Sequence, residues 1–301
     1  MLGGNKMKEL AVLIYLLIYM YSGGIDTSDP VLLQNVISNI QTKGMETTLA
    51  SLEKDLPGIL AASGIELPDI KSGQSELPVI DPKKLDYKKE LTNLGFYKNE
   101  SKDAALNLRN AVLRFQSSCN MTVDGKWNDK CQKALAVMLA SKGGIYEDVI
   151  ASPPSEGKWI AVNKNKRILT LYEKDKVIKK YPVAIGNPPS TTPNGQFKVV
   201  SKVINPSWGG GGYAKPVKGG VPENPLGYRW IGLSYKDGKT LGIHGNNAPY
   251  SIGGNVSHGC IRMINTDVEE LFEIVPGSAV VWIGTDDTFN ELGLRQKEPG
   301  L

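Results

Sequence analysis

The chain has 301 residues, 41% of them hydrophobic and 22% charged, with a net charge of +4, two histidines and three cysteines. That balance is ordinary for a globular protein and leaves room for a sizeable core and about two domains. The small positive charge, with no Lys/Arg cluster interleaved with aromatics, argues against nucleic-acid binding and allows only a modest pull toward an anionic polymer.

The N-terminus carries Lys6 and Lys8, then the apolar run LAVLIYLLIYMY at residues 10–21, then Ser22-Gly23-Gly24. A basic flank followed by a dozen apolar residues reads as an export signal, and the run is short for a span of about 20 residues. Small residues after Tyr21 permit cleavage without spelling a clean site, so residues 1–24 are expected to be a signal peptide or membrane anchor. Asp29-Pro30 then offers an N-cap with proline at the first helical position, and Leu33, Ile37 and Ile40 keep helical spacing. A second stretch, Leu49, Leu52 and Leu56, stops at Pro57, and residues 63–82 are rich in Pro, Gly and Ser. Residues 25–82 therefore read as a helical spacer and linker.

Residues 83–142 carry a self-contained helical pattern. Tyr87, Leu91 and Leu94 share one face before Gly95; Ala105, Leu108, Val112 and Phe115 line a second helix; Cys131, Leu135, Met138 and Leu139 line a third, with Asn128 as its N-cap. Cys119 and Cys131 both fall in this module, either as a disulfide of an exported protein or as two buried thiols.

After Ser152-Pro153-Pro154-Ser155 the period changes to two. Trp159 and Ala161, then Ile168, Thr170 and Tyr172, alternate like strands around an Asn163-Lys164-Asn165-Lys166 turn. Residues 176–185, 195–203 and 241–244 continue the strand series, and residues 280–283 read as a closing strand. Between them, Thr266-x-x-Glu269 spells a capping box, with Val268, Leu271, Phe272 and Val275 as the apolar face and Pro276-Gly277 as the stop. The expected fold is multidomain α and β: a small helical module, then a mostly β, β-sandwich-like domain with one packed helix over residues 157–286. Residues 287–301 read as a C-terminal tail.

The chemistry concentrates in IHGNNAPYSIGGNVSHGCIRM. Both histidines, His244 and His258, lie within sixteen positions of Cys260. A free thiol has a pKa near 8.5 and is only a few per cent thiolate at neutral pH. An imidazole beside it can take the proton and later return it to a leaving amine. Gly259 lets substrate approach the backbone, and amides at Gly259 and Cys260 could face a developing oxyanion. Arg262 suits structural pairing or a bidentate grip on a carboxylate. Spacing alone leaves open which histidine is the base. His244, His258 and Cys260 could also supply three zinc ligands, but their spacing fits no common zinc motif and no fourth ligand lies nearby. Trp208 and the glycines at 209–212 read as a loop or hairpin near the cleft. Gly238-Lys239-Thr240 spells GKT, yet Leu233 stands where a phosphate loop needs glycine, so a surface turn is expected and no cofactor.

The string Ser257-His258-Gly259-Cys260-Ile261-Arg262, with Ile243-His244-Gly245 upstream, resembles the signature of the L,D-transpeptidase (YkuD) family. Thr192-Pro193-Asn194-Gly195-Gln196-Phe197 and Asn224-Pro225-Leu226-Gly227 match two further family elements in the right order. Leu94-Gly95-Phe96-Tyr97, Phe115-Gln116 and Val123-Asp124-Gly125-Lys126-Trp127 resemble a small peptidoglycan-binding module. The resemblance implies an exported cell-wall enzyme with Cys260 as nucleophile and His244 as proton acceptor and donor, oriented by a backbone carbonyl. Ser257, His258, Gly259 and Arg262 would form the oxyanion and substrate site. The implied partners are peptidoglycan stem peptides, and the implied inhibitors carbapenem-type β-lactams; the implied reaction is 3→3 cross-linking. An L,D-carboxypeptidase or endopeptidase sharing the same acyl-enzyme is the competing expectation.

Overall fold

The computed structural model describes residues 80–141, 147–189, 191–212, 214–235 and 240–298. The export segment at 1–24, nearly all of the spacer and Gly238-Lys239 lie outside these residues.

Three helices come first: α1 (Tyr87–Asn93), α2 (Ala104–Ser118) and α3 (Asp129–Ser141). Each starts on a side-chain cap. Asp86 and Asp103 accept amides of the first turns of α1 and α2, and Asn128 accepts the Cys131 amide at 3.0 Å, as the sequence implied. Leu91, Val112, Phe115 and Leu135 fill the core, with Trp127 stacked on Tyr87 at 4.4 Å between centroids. Gln116 ties the module together, donating to Asp124 Oδ1 (2.7 Å) and accepting the Gly125 amide (2.8 Å). The two spelled elements FQ and VDGKW are thus one structural unit. Cys119 and Cys131 are free buried thiols, and burial pushes the Cys119 thiol up to about 12.

Eleven strands follow: β1 (Glu147–Ile150), β2 (Lys158–Asn163), β3 (Ile168–Glu173), β4 (Lys176–Gly186), β5 (Gly195–Ile204), β6 (Arg229–Leu233), β7 (Gly242–His244), β8 (Asn255–Ser257), β9 (Ile261–Met263), β10 (Val280–Gly284) and β11 (Leu294–Lys297). Helix α4 (Asn265–Ile274) sits between β9 and β10, and α5 (Asp286–Glu291) between β10 and β11. The main sheet runs β3-β2-β10-β5-β6-β7-β9-β4-β8, and an added β3–β4 pairing closes it into an eight-stranded barrel, a tighter curl than a sandwich. Its interior holds Ile160, Val162, Leu169, Leu171, Val183, Ile231, Ile243, Ile261 and Met263, with Val268, Leu271 and Phe272 of α4 packed on them.

Strands β2 and β3 are buried on both faces. The alternating set Trp159, Ala161 and Tyr172 faces out of the barrel, under Trp282, Phe289 and Leu294. Residues 287–301, expected as a tail, instead supply most of α5 and all of β11, which pairs antiparallel with β1. The expected capping box also reads differently. Helix α4 begins at Asn265 with no side-chain cap, and the Thr266 hydroxyl turns to Glu100 in the helical module.

That contact belongs to a seam. The helical module and the barrel lie in one compact unit, Glu76–Leu301. Leu113 and Val123 pack with Ile168, Ala184, Ile252 and Ile264 of the barrel. Beside them the buried Arg114 guanidinium donates to Asp267 (3.0 and 3.2 Å) and to Glu100 (2.8 Å). Burial alone would raise the Asp267 carboxyl far; Arg114 and Lys98 oppose that, and the carboxyl stays above its usual range.

Candidate active site

Strands β7 and β9 run parallel with His244 opposite Arg262 and Ile243 opposite Ile261. Because successive side chains alternate, Ile243 and Ile261 enter the barrel while His244 and Arg262 share its outer face. Cys260 sits in the bend immediately before β9. Its Sγ lies 3.9 Å from the Thr240 carbonyl oxygen, and the Gly242 amide points toward it. Arg262 thus acts electrostatically on both His244 and Cys260, and the Cys260 sulfur lies against the start of β7.

His244 is buried, and its Nδ1 lies 2.7 Å from the Gly245 carbonyl oxygen. A carbonyl only accepts, so Nδ1 carries the hydrogen and Nε2 keeps its lone pair. Burial, and secondarily the Arg262 charge, push the imidazole down to about 4 against the pull of that hydrogen bond. Trp230 of β6 stacks on the ring at 5.6 Å between centroids. Its indole crosses Gly242, where a Cβ would meet the Trp230 ring at 2.5 Å. Gly245 is needed for close approach as well, since a Cβ there would come within 2.2 Å of Asn265 Oδ1. Asn265 uses that oxygen to accept the Asn246 amide at 2.9 Å.

Burial raises the Cys260 thiol above its ordinary value, while the Gly242 amide and Arg262 pull it back part of the way. Arg262 thus favours the thiolate and opposes the imidazolium. At neutral pH both the Cys260 thiol and the His244 imidazole therefore rest uncharged.

The turn between β8 and β9 is set by residues on both sides. Gly259 has φ +119, a conformation side chains disfavour. Its carbonyl accepts from Thr192 Oγ1 at 2.9 Å, and the Thr192 hydroxyl in turn accepts the Gly186 amide at 2.8 Å. The Ser257 hydroxyl donates to the Cys260 carbonyl (2.5 Å) and accepts the Gly259 amide (3.2 Å). The Gly259 amide already donates to the Ser257 hydroxyl, and Ser257 itself is buried in the turn. His258 is exposed in a bend, so it does not share an extended strand with Cys260.

Thr192 and Trp230 were not singled out as site residues. The threonine stood in the TPNGQF match, and a buried hydroxyl in a turn motif is the signal that could have flagged it. Trp208 pairs with Val217 through two backbone bonds of 2.9 Å, forming the expected hairpin contact. Among the described residues no cluster of three or more His, Cys, Asp or Glu could hold a metal ion, and no helix is long and apolar enough to cross a membrane.

Two parts of the chain match known protein families. Residues 157–283 match the L,D-transpeptidase catalytic domain, YkuD, and residues 85–135 match a "Putative peptidoglycan binding domain". The "Putative L,D-transpeptidase YqjB" of Bacillus subtilis is 41% identical over 142 residues, 46% of this chain and 78% of that relative. The "Putative L,D-transpeptidase YkuD" of Bacillus licheniformis is 42% identical over 134 residues, 44% of this chain and 70% of that relative. A crystal structure of an L,D-transpeptidase from Xylanimonas cellulosilytica aligns over 68% of this chain and 94% of that chain, with TM-score 0.45 and 20% identity. The chain belongs to the L,D-transpeptidase (YkuD) family, whose catalytic cysteine forms peptidoglycan cross-links, and it carries a peptidoglycan-binding module ahead of that domain. Such a protein works at the cell wall, outside the cytoplasm.

Proposed function

We propose that this enzyme makes 3→3 cross-links through a thioester on Cys260, with His244 as the proton carrier. The observation that supports this most is that His244 and Arg262 share one outer face of β7 and β9, the imidazole neutral with its Nε2 unprotonated, while the Cys260 sulfur lies against Thr240 and Gly242 at the start of β7. Cys260 Sγ attacks the carbonyl of the third, L-centred residue of a tetrapeptide stem, and its proton passes to His244 Nε2. The C–N bond to the terminal D-residue breaks, the departing amine takes that proton, and a thioester remains. An amine from a neighbouring stem then attacks the thioester and gives a proton to His244. The peptide bond forms, and the sulfur leaves and is reprotonated.

The Cys260 amide serves the oxyanion, since the Gly259 amide is occupied by Ser257. Arg262 adds positive charge beside the developing anion. His258, exposed at the bend, borders the substrate path. Stem peptides are the substrates, carbapenem-type β-lactams acylate the same sulfur, and the apolar segment at residues 10–21 directs export.

The test is incubation of the full chain with purified disaccharide-tetrapeptides, followed by mass spectrometry of protein and products. A thioester adduct on Cys260 and 3→3 dimers are expected. Hydrolysed tripeptides without dimers would move the assignment to an L,D-carboxypeptidase, and activity surviving in Cys260→Ala would end the mechanism.

A further inference from the structure

Residues 245–257 make up most of the chain between the candidate base, His244, and the candidate nucleophile, Cys260, and the helical module contacts them from outside the barrel. Tyr250 Oη donates to Asp103 Oδ2 at 2.6 Å. Asp103 cannot swing freely, because its other oxygen caps α2 at the Ala105 and Leu106 amides (2.9 and 3.2 Å). One turn on, Arg109 Nη2 donates to the Ile252 carbonyl at 2.7 Å, and its guanidinium lies 5.9 Å from the Tyr250 ring centre. Ile252 is fully buried against Leu113 and Val123 of the module. Gly253, with φ +86, passes so near that a Cβ there would meet Leu113 Cδ2 at 3.1 Å.

The two halves of this loop are held differently. From Gly253 onward the chain is laddered to β4, through Gly253 to the Val183 carbonyl (3.1 Å) and Ile185 to the Gly254 carbonyl (3.1 Å). The first half has the Asn246–Asn265 contacts at its root and an Asn247 bond to the Glu223 carbonyl (2.8 Å). Beyond Asn247 the hydrogen bonds to Tyr250 and to the Ile252 carbonyl come from the module, while the Ile252 side chain packs between module and barrel.

Both ends of the loop act on the chemistry. Its first residue, Gly245, supplies the carbonyl that fixes the His244 tautomer. Its last, Ser257, fixes the Cys260 carbonyl.

We propose that Arg109 is a positioning residue for transpeptidation: by pinning Ile252 and Tyr250 it sets the loop that aligns His244 with Cys260. The peptidoglycan-binding module therefore serves the chemical step directly, besides holding the enzyme to the wall. This rests on the assignment of Cys260 as nucleophile.

A module acting only as a tether gives a different expectation, because a soluble substrate needs no tether. The full chain carrying Arg109→Ala or Arg109→Lys is assayed on soluble disaccharide-tetrapeptide, by iodoacetamide labelling of Cys260 against pH, and by sedimentation with sacculi. Arg109→Ala should lose about tenfold to a hundredfold in kcat, the range a small misplacement of reacting groups produces, with KM nearly unchanged. The labelling profile should shift along the pH axis, sedimentation should match wild type, and Arg109→Lys, which keeps a donor and the charge, should recover part of kcat. A folded Arg109→Ala protein with wild-type kcat and labelling profile would overturn the proposal. Should Arg109→Ala fail to fold, Tyr250→Phe carries the test, since that side chain is 55% exposed and loses only its bond to Asp103. Wild-type kcat and labelling there would overturn it equally. A wild-type Cys260 that iodoacetamide never labels would instead sink the nucleophile assignment itself.

Discussion

The buried neutral histidine gives a quantitative expectation. In the folded protein His244 titrates at about 4 against an ordinary 6.5. Between those values the unfolded chain binds a proton that the folded chain refuses. Stability is therefore fully present above pH 6.5 and falls as the pH drops through the window toward 4. At about 1.4 kcal/mol per pH unit, the interval is worth about 3 kcal/mol. The perturbation is His244→Gln, which keeps a side-chain donor for the Gly245 carbonyl and removes the titration. Urea unfolding at pH 7, 6, 5 and 4, with a common m-value, measures it. Other groups titrate in both proteins, so the difference between the two pH curves isolates His244. Wild type should lose about 3 kcal/mol more than the variant between pH 7 and 4. Parallel curves would refute a buried neutral imidazole. The same shift carries into catalysis, because the acid limb of kcat/KM should lie well below pH 6.5 if His244 is the base of the free enzyme.

Cys260→Ala should abolish dimer formation and iodoacetamide labelling while leaving the urea midpoint near wild type, read by product mass spectrometry and circular dichroism. Thr192→Val keeps the shape but leaves the Gly186 amide and the Gly259 carbonyl without their buried partner; a loss of about 2–5 kcal/mol in urea is expected, with a larger loss of kcat than of binding. Arg114→Ala leaves Asp267 and Glu100 facing each other in the seam and should cost about 3–5 kcal/mol, whereas Lys130→Ala, at an exposed pair with Glu298, should cost less than about 1 kcal/mol; equal costs would deny that the seam is buried. A carbapenem should add once to the wild-type protein and not to Cys260→Ala, as intact mass will show.

Much of the site was legible because histidine and cysteine are scarce here and converge on one stretch. The helical module was legible because its caps and turn residues are local. The missing parts are those whose signal is not local. Strand β6 carries Gly232 in its interior, and glycine lowers any strand reading; it stands there because Trp230 and Ser201 crowd the space a side chain would fill. The seam was missed through a choice of face. Ala105, Leu108, Val112 and Phe115 gave one apolar side of α2, yet Leu106 and Leu113 form a second, and both are buried. A helix apolar on two sides is covered on two sides, and that second stripe was the available sign that the module docks on the barrel. The capping-box reading failed for a related reason: Thr266 had a partner 166 positions away in Glu100, which no local pattern reveals.

The resting protonation state suits an exported thiol enzyme. Oxidants react with thiolate, so a sulfur kept protonated by burial is a poor target in an oxidising compartment. In the proposed mechanism, attack begins from an uncharged thiol and an uncharged, buried imidazole and must create charge. Arg262 resolves this asymmetrically, since it opposes charge on His244 and favours charge on Cys260. The negative charge arising on sulfur, then on the substrate oxygen, forms beside a fixed cation. The imidazolium is the unfavourable partner and should be short-lived, handing its proton to the leaving amine as the C–N bond breaks. Water could use the same thioester, so the choice of acceptor depends on which nucleophile reaches the outer face of β7 and β9. That face lies beside the loop at residues 245–257, which the wall-binding module contacts at Tyr250 and Ile252.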